Sequence, residues 1–487
     1  MITMPFNVLR LGTFIALAHA LGFIAAFHAI RTARTSQGAI AWAVSLVAIP
    51  YLTLIPYLFL GSSRFVDYVD RRRFAQQKMH RRAWLRTSHI RLGTTRHSAD
   101  TRFDALDGPV SRALSALAGT PFTHGNQVRV LINGERTFGA IFEAIARATE
   151  YIIVQFFVVR DDGLGRKLKD ALLERASRGI RVYFLYDGIG SYDLPRHYIE
   201  ALRAGGVKAH EFATRRFINR FQLNFRNHRK IVIVDGEVAF VGGHNVGDEY
   251  LGAKPLLSPW RDTQIEVKGP AVIDIQCAFI EDWYWATRRL PQVRRNSPHL
   301  RQQGAGMECL VIASGPADIQ ETCSLFFVQM IHAARWRIWI ASPYFVPDEA
   351  VFAALRLAIM RGIEVRILLP AQRDRYVVFQ ASTLYAHDAI RVGIRVFRYQ
   401  SGFMHQKVVL IDDSAAAVGS ANLDNRSFRL NFELMVLTRN KAFASEVAAM
   451  LKADFMHATA VELTEFSGAP AWRRIMMHVA RLFSPIL

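Results

Sequence analysis

Cysteine is scarce. Three residues, Cys277, Cys309 and Cys323, serve a chain of 487. The count is odd and no two stand in a C-x-x-C spacing, which excludes a disulfide framework and a cysteine zinc site and makes a reducing compartment the expectation. The three read as small buried hydrophobes. Acidic residues are also in deficit, 41 against 61 Lys and Arg, for a net charge of +20 and a sequence pI near 10.2. Such a surplus suits a polyanionic partner: nucleic acid, or the anionic face of a membrane. Low-complexity composition is missing, because 51% of residues are hydrophobic and 21% charged, so a disordered or collagen-like chain is excluded. No H-E-x-x-H, carboxylate cluster or Walker-type glycine loop is present, so neither a metal nor a nucleotide cofactor is expected.

What the chain has in excess sits at its N-terminus. Mean hydropathy is +0.11. Leu11–Ile30 is 20 residues without a charge, and a second uncharged stretch, with its core at 39–60, lies between Arg34 and Arg64. A bilayer needs about 20 apolar residues per helix, and both runs reach that length. Pro50 and Pro56 would break a soluble helix but are more acceptable in a membrane span. A cleaved signal peptide, cut near Ala18-His19-Ala20, is the alternative for the first run; its length and the second run close behind argue for a two-helix transmembrane hairpin over residues 1–62. Residues 71–102 hold ten Lys and Arg against one acid, Asp100, while the inter-span loop has only Arg31 and Arg34. That bias predicts a multi-pass membrane protein with its large C-terminal part in the cytoplasm. The basic segment, within residues 63–110, would lie against anionic lipid headgroups. Residues 472–483 are basic and apolar at helical spacing, an amphipathic helix that either packs on the body or rests on a membrane.

At about 150 residues per domain the length allows three folded units. Beyond residue 110 strand-like and helix-like runs alternate and then repeat. Residues 151–159, 164–178 and 180–186 read as strand, helix and strand, and so do 336–340, 349–361 and 363–369. Even the joints match, Arg178-Gly179-Ile180 beside Arg361-Gly362-Ile363, with glycine as the helix stop. Duplicated strand–helix–strand units predict an α/β fold of two α/β/α halves, 111–300 and 301–487, related by a pseudo-twofold.

The more informative repeat lies near the end of each half. Counting from His228 and from His405, Lys stands at +2 (Lys230, Lys407), Asp at +7 (Asp235, Asp412), Gly at +14 (Gly242, Gly419) and Asn at +17 (Asn245, Asn422). Matched offsets in copies 177 residues apart are not a chance event. Residues 231–234 and 408–411 are continuous apolar runs, so each His and Lys should project from one face of a strand. Asp235-Gly236 signals a hairpin whose returning strand brings Gly242, Gly243 and Asn245 back beside the His. The Asp at +7 has the opposite parity and suits anchoring the turn, and the glycines allow close backbone approach to a bound group. His244 has no counterpart in the second copy, where Ala421 stands, and is read as incidental. Two imidazoles, two ammonium groups and two carboxamides converging on one point suit a tetrahedral phosphate ester: the lysines and asparagines hold its charge and the imidazoles carry covalent and proton chemistry. One imidazole can be neutral and nucleophilic while its partner is protonated as an acid. A carboxylate usually fixes such a histidine's tautomer, and Asp262 and Glu433 are candidates.

The two H-x-K-x4-D motifs, each followed by G-[GS]-x-N, resemble the phospholipase D superfamily. The similarity extends through Trp260-Arg261-Asp262-Thr263, Pro343-Tyr344-Phe345-Val346-Pro347-Asp348 and residues 419–428 to the bacterial cardiolipin synthases of that superfamily. It implies transfer of a phosphatidyl group from one phosphatidylglycerol to a second through a phosphatidyl-histidine, giving cardiolipin and glycerol. It also implies His228 as nucleophile, His405 as acid then base, Asp262 and Glu433 as orienting carboxylates, and Asn245, Asn422 and Ser420 at the phosphate. No metal, nucleotide or nucleic acid enters that reaction, and nothing in the sequence fixes an oligomeric state. The same residues would serve a phospholipase D hydrolase, or a transferase using another alcohol such as ethanolamine or serine. A nuclease fits the basic pI but not the membrane hairpin, and a scaffold with a retired site does not fit two intact motif sets.

Overall fold

The apolar N-terminal runs form helices. In the computed structural model, which describes residues 6–33, 36–61, 106, 108–212, 225–294, 306–318 and 320–487, these are α1 (Phe6–Thr32), α2 (Ser36–Ala48) and α3 (Pro50–Leu60). They belong to one compact unit and the α/β body to another. Gly12–Thr32 is the one helix, among the described residues, long and apolar enough to cross a membrane. The second run is not a continuous span as expected. It breaks at Ile49 (φ −140°, ψ 61°), because Pro50 has no N–H and disfavours helical backbone in the residue before it. The resulting helices of 13 and 11 residues are each too short to cross alone. They still pack on α1: a Cβ on Gly22 would sit 2.3 Å from the Leu46 carbonyl oxygen, and His28 Nδ1 meets the Tyr57 hydroxyl at 2.7 Å. The basic stretch 71–102 lies outside the described residues.

In the α/β body the β-branched and aromatic runs become buried strands. The first half contributes β1 (Thr123–Ile132), β2 (Tyr151–Phe156), β3 (Arg181–Asp187), β4 (Lys208–Phe212), β5 (Arg226–Asn227), β6 (Ile231–Val234), β7 (Val238–Gly242), β8 (Trp260–Arg261) and β9 (Thr263–Lys268). The second contributes β10 (Met307–Ser314), β11 (Arg337–Ala341), β12 (Phe345–Val346), β13 (Glu364–Pro370), β14 (Arg395–Tyr399), β15 (Phe403–Met404), β16 (Val408–Ile411), β17 (Ala415–Gly419), β18 (Leu423–Asp424), β19 (Asn431–Arg439) and β20 (Ala458–Ala460). From one edge the hydrogen-bonded order is β4-β3-β2-β6-β7-β9-β1, then β10-β19-β17-β16-β11-β13-β14-β20. The order therefore reads nearly the same from either end, with the antiparallel β1–β10 pair at the centre. In each half three strands run parallel (β2-β3-β4, β11-β13-β14), and the motif hairpin (β6–β7, β16–β17) adds antiparallel to the first of them. Two short parallel bridges cross between halves and hold the motif histidines: β5 pairs with β19, Arg226 opposite Asn431, and β8 pairs with β15, Trp260 opposite Phe403.

Helices cover the sheet: α4 (Gly108–Ala118), α5 (Asn133–Ala146), α6 (Gly163–Ser177), α7 (Arg196–Ala204), α8 (Ala271–Thr287), α9 (Thr322–Ala333), α10 (Glu349–Met360), α11 (Tyr376–Arg391), α12 (Asn425–Arg429), α13 (Lys441–Met456) and α14 (Ala471–Leu482). The duplication is legible in their ends. Asp162 caps α6 by accepting from Gly165 N, Asp348 caps α10 by accepting from Val351 N, each cap worth about 1 kcal/mol. Gly179 and Gly362, at φ 82° and 77°, stop the same two helices in the left-handed conformation. Each half has its own apolar core, one around Leu168, Leu172, Phe184 and Val232, the other around Phe326, Phe327, Ile367 and Leu437. Although most of α4 belongs to the first half in sequence, its Leu114 is buried in the second half's core.

Candidate active site

Each motif is held first at its turn. Asp235 and Gly236 adopt φ 55° and 69°, the paired left-handed geometry of a two-residue hairpin. The Asp235 carboxylate accepts from the backbone N–H groups of Thr149, Glu150 and Tyr151 at 2.7–2.8 Å and from the Thr149 hydroxyl. Asp412 does the same for Arg335, Trp336 and Arg337 N–H at 3.0–3.3 Å. Both acids lock the start of the neighbouring parallel strand, seven residues from the imidazole, so they are anchors and not members of the reacting group.

The histidines are positioned from the opposite half. His228 N–H donates to Phe432 O (2.9 Å) and His405 N–H to Arg261 O (2.8 Å), extending the two inter-half bridges by one residue. The orienting carboxylates are exchanged in the same way. His228 Nδ1 meets both Glu433 oxygens at 3.0 Å, and His405 Nδ1 meets Asp262 Oδ2 at 2.8 Å. Each histidine thus takes its carboxylate from the other half, a pairing that spacing along the chain did not reveal. Both carboxylates are fully buried. Glu433 is fixed further by Ser420 Oγ (2.5 Å), Ser427 Oγ (2.9 Å) and Asn431 Nδ2 (3.0 Å). The structure therefore shows the Ser420 hydroxyl bound to the carboxylate.

The glycines of the motif also act on the carboxylates. A Cβ on Gly243 would lie 2.1 Å from Asp262 Oδ1, and one on Gly242 would meet the Thr263 carbonyl oxygen at 2.4 Å. Their close approach is to Asp262 and the start of β9, where the sequence suggests a bound group. His244, fully buried, has its ring edge on Phe138, and burial pushes its imidazole below the ordinary value while Asp262 opposes the shift.

The lysines are buried and differ in what they touch. Lys230 Nζ donates to His228 O at 2.6 Å. Lys407 Nζ donates to His405 O and also lies 2.8 Å from His405 Nδ1. Burial pushes both ammonium groups down, Lys407 to about 8 and Lys230 well below its ordinary value, while Asp262 and Glu433 oppose the shift. Burial likewise pushes His228 down to about 4, with Glu433 opposing and Lys230 assisting, and His405 to about 3, with Lys407 assisting. Burial works to raise Asp262 and Glu433, but Lys407 beside Asp262 and His228 beside Glu433 outweigh it and hold both below the usual carboxylate range. Lys407 acts on His228, and Lys230 on His405, so one electrostatic field spans both motifs. At both rings desolvation outweighs the attraction of the neighbouring carboxylate and disfavours the protonated form.

Asn245 Oδ1 accepts from Val158 N–H (3.1 Å) and its Nδ2 donates to the Tyr250 hydroxyl (3.0 Å); Asn422 Nδ2 donates to Asp424 Oδ2 (3.2 Å). Phe157 lies edge-on to His228, and Trp260 packs on His405, both with ring centroids at 5.1 Å. Among the described residues no group of three or more His, Cys, Asp or Glu is arranged to hold a metal ion.

Two buried ionic clasps behind the histidines were not anticipated. Arg229 is fully buried; it donates to Asp282 Oδ2 (2.9 Å) in its own half and to Glu433 O and Ser314 O (both 3.1 Å) in the other. Asp282 Oδ2 also accepts from Gln155 and Asn227 at 2.8 Å. On the other side Arg261 pairs bidentately with Asp454 at 2.7 Å, and Gln406, the residue between His405 and Lys407, donates to the same Asp454 Oδ2 at 2.9 Å. The middle residue of each motif is thus tied to an acid on a helix of its own half, α8 or α13. The available signal was Asp282, one of three acids with Asp274 and Glu281 in the otherwise apolar stretch 271–287, a pattern that implies paired buried carboxylates.

Comparison with known proteins agrees with this architecture. A family profile described as "Cardiolipin synthase, PLD-like domain" matches residues 141–279 and 327–455, one match on each half, and one described as "Phospholipase_D-nuclease N-terminal" matches residues 20–62. Cardiolipin synthase A of Pseudomonas aeruginosa is 55% identical over 482 residues, covering 98% of this chain and 96% of that protein. Cardiolipin synthase A of Pseudomonas fluorescens is 53% identical over 484 residues, covering 98% of each. A crystal structure of phosphatidylserine synthase from Haemophilus influenzae superposes with a TM-score of 0.59 at 14% identity, covering 78% of this chain and all of that one, a likeness of fold. Two half-site motifs that exchange their carboxylates, together with relatives matched along nearly the whole length, place this chain among the bacterial cardiolipin synthases of the phospholipase D superfamily.

Proposed function

We propose that the enzyme transfers a phosphatidyl group from one phosphatidylglycerol to another through a phosphatidyl-histidine, with His228 as nucleophile. The observation that carries the assignment is the difference between the two lysines. His228 Nδ1 faces only Glu433, so its Nδ1–H is donated there and Nε2 keeps its lone pair for attack. At His405, Lys407 Nζ is also within 2.8 Å of Nδ1. A lysine proton shared with Nδ1 leaves the ring's proton on Nε2, the form that can protonate a leaving group.

In the first step His228 Nε2 attacks phosphorus, the P–O bond to the headgroup glycerol breaks, and His405 Nε2 gives that oxygen its proton while Lys407 passes one to Nδ1, so the ring stays neutral. In the second, the terminal glycerol hydroxyl of another phosphatidylglycerol gives its proton to His405 Nε2 as Nδ1 returns its own to Lys407, and the oxygen attacks phosphorus. The P–N bond to His228 breaks, and cardiolipin leaves. Lys230 and Lys407 hold the charge of the pentacoordinate phosphorane, and Asn245 and Asn422 line the same site. Phosphodiester exchange conserves bond type, so the reaction needs no external energy source. The apolar α1 and the basic residues 71–102 support a membrane-anchored enzyme with its catalytic body on the cytoplasmic side.

Incubating the purified full chain with phosphatidylglycerol alone tests this reading. Cardiolipin and glycerol in equal amounts are expected. Phosphatidic acid as the main product would make the enzyme a hydrolase and overturn it.

A further inference from the structure

The C-terminal helix α14 has two apolar faces, and the fold uses one. Met477 and Ala480, with Ser484 beyond them, are buried against α11, where Ala480 clusters with Val378 and Met477 with Leu384. A salt bridge from Arg481 to Asp388 fixes the contact. Trp472, Ile475, Met476, Val479, Leu482 and Phe483 recur at three- and four-residue intervals on a second face and remain exposed, Ile475 at 62% and Leu482 at 78%. Elsewhere among the described residues of the body exposed large apolar side chains come singly or in pairs; here six fall within twelve residues. The helix carries Arg473, Arg474 and Arg481 and no acid. An apolar arc with cationic flanks matches the layered chemistry of an anionic bilayer surface, acyl boundary beneath and phosphates beside it.

Its position relative to the chemistry is also fixed. After Phe483 the chain turns through Ser484–Ile486, and the Leu487 carbonyl oxygen accepts from Arg426 N–H at 2.8 Å, on α12. That helix starts directly after Asp424, the partner of Asn422. The last residue of the chain is therefore latched beside the second motif.

We infer that α14 is an in-plane membrane helix that seats the catalytic body on an anionic bilayer through the Trp472–Phe483 face and sets the active site at headgroup level. The inference deepens the reading of lipid substrates, but its test needs no turnover. The full chain carrying Ile475→Cys with an environment-sensitive fluorophore is placed in vesicles of phosphatidylglycerol and phosphatidylcholine and compared with the same protein in detergent, with the labelled parent as the background control. The expected result is a blue-shifted emission in vesicles, quenching by lipids spin-labelled near the headgroup, and about tenfold less quenching by aqueous iodide. Iodide access in vesicles equal to that of a solvent-exposed reference, Met456→Cys, would overturn the inference. So would cross-linking of Ile475→Cys between two copies, which would assign the face to self-association. The same measurement on His228→Ala separates the two readings: a buried label on an inactive enzyme leaves the seating intact whatever the reaction proves to be. Arg473→Gln with Arg474→Gln should weaken the seating about tenfold or more and make it less salt-sensitive than the parent's; no change would overturn the electrostatic half of the inference.

Discussion

Replacing Glu433 with Gln removes one charge and preserves the shape around it. Glu433 is fully buried and holds His228 Nδ1 with both oxygens at 3.0 Å. During transfer the imidazole becomes positively charged. At a charge separation of about 4 Å and an effective dielectric constant near 20 the lost attraction is about 4 kcal/mol, or about 10³ in rate. An amide that donates to Nδ1 also selects the wrong tautomer, with a proton on Nε2, and the matching change in a Ser-His-Asp triad costs about 10⁴. The expected loss in kcat is therefore about 10³- to 10⁴-fold. Because the amide keeps one acceptor for Ser420 or Ser427, the fold persists with a stability loss of about 1–3 kcal/mol. The assay is cardiolipin formation from phosphatidylglycerol in proteoliposomes, with thermal unfolding measured on the same preparation. A rate within tenfold of the parent, in a protein that is folded, would refute the claim that the opposite half's carboxylate activates His228.

Lys407 gives a pH prediction. Its folded value of about 8 lies below its ordinary one, so in the free enzyme its charge is lost above pH 8, and kcat/KM should fall there while staying level from pH 6 to 7.5. The same depression means the charged folded state is penalised below pH 8, a penalty that fades as pH rises toward 10.5; Lys407→Met should raise Tm at pH 7 while abolishing turnover, and remove that rise with pH. Gly243→Ala should place a methyl group against Asp262 and cost at least about 100-fold in kcat, with far-ultraviolet circular dichroism unchanged. Asp454→Asn should leave Arg261 buried without its counter-charge and lower unfolding free energy by about 3–5 kcal/mol, read from denaturant titration.

The motif strands, the hairpins and the anchoring aspartates could be read from the sequence because each depends on residues close together in the chain. Apolar 231–234 and 408–411 are strands with those bounds, and Asp235-Gly236 is a turn because only such residues tolerate two successive positive φ values. The exchange of Glu433 and Asp262 could not be read, since it depends on how two halves meet and not on any spacing within one of them. The Ser420 bond to Glu433 could not be read for the same reason: the partner is fixed by tertiary packing, and a serine in a G-S-x-N turn gives no direction. The break at Ile49 was present in the sequence as Pro50, but a proline is compatible both with a kinked span and with two helices, and local backbone geometry chose the latter. Arg229 and Gln406, the middle residues of the two H-x-K motifs, are both buried, because in extended backbone the residue between His and Lys points to the opposite side, toward the acids on α8 and α13.

The most direct measurement is to capture the covalent enzyme. The full chain mixed with phosphatidylglycerol on a rapid-quench timescale, digested under mildly alkaline conditions that preserve phosphohistidine, should yield by mass spectrometry one peptide carrying a phosphatidyl group on His228. A phosphatidyl group on His405, or rapid turnover with no histidine adduct at any time point, would contradict the account.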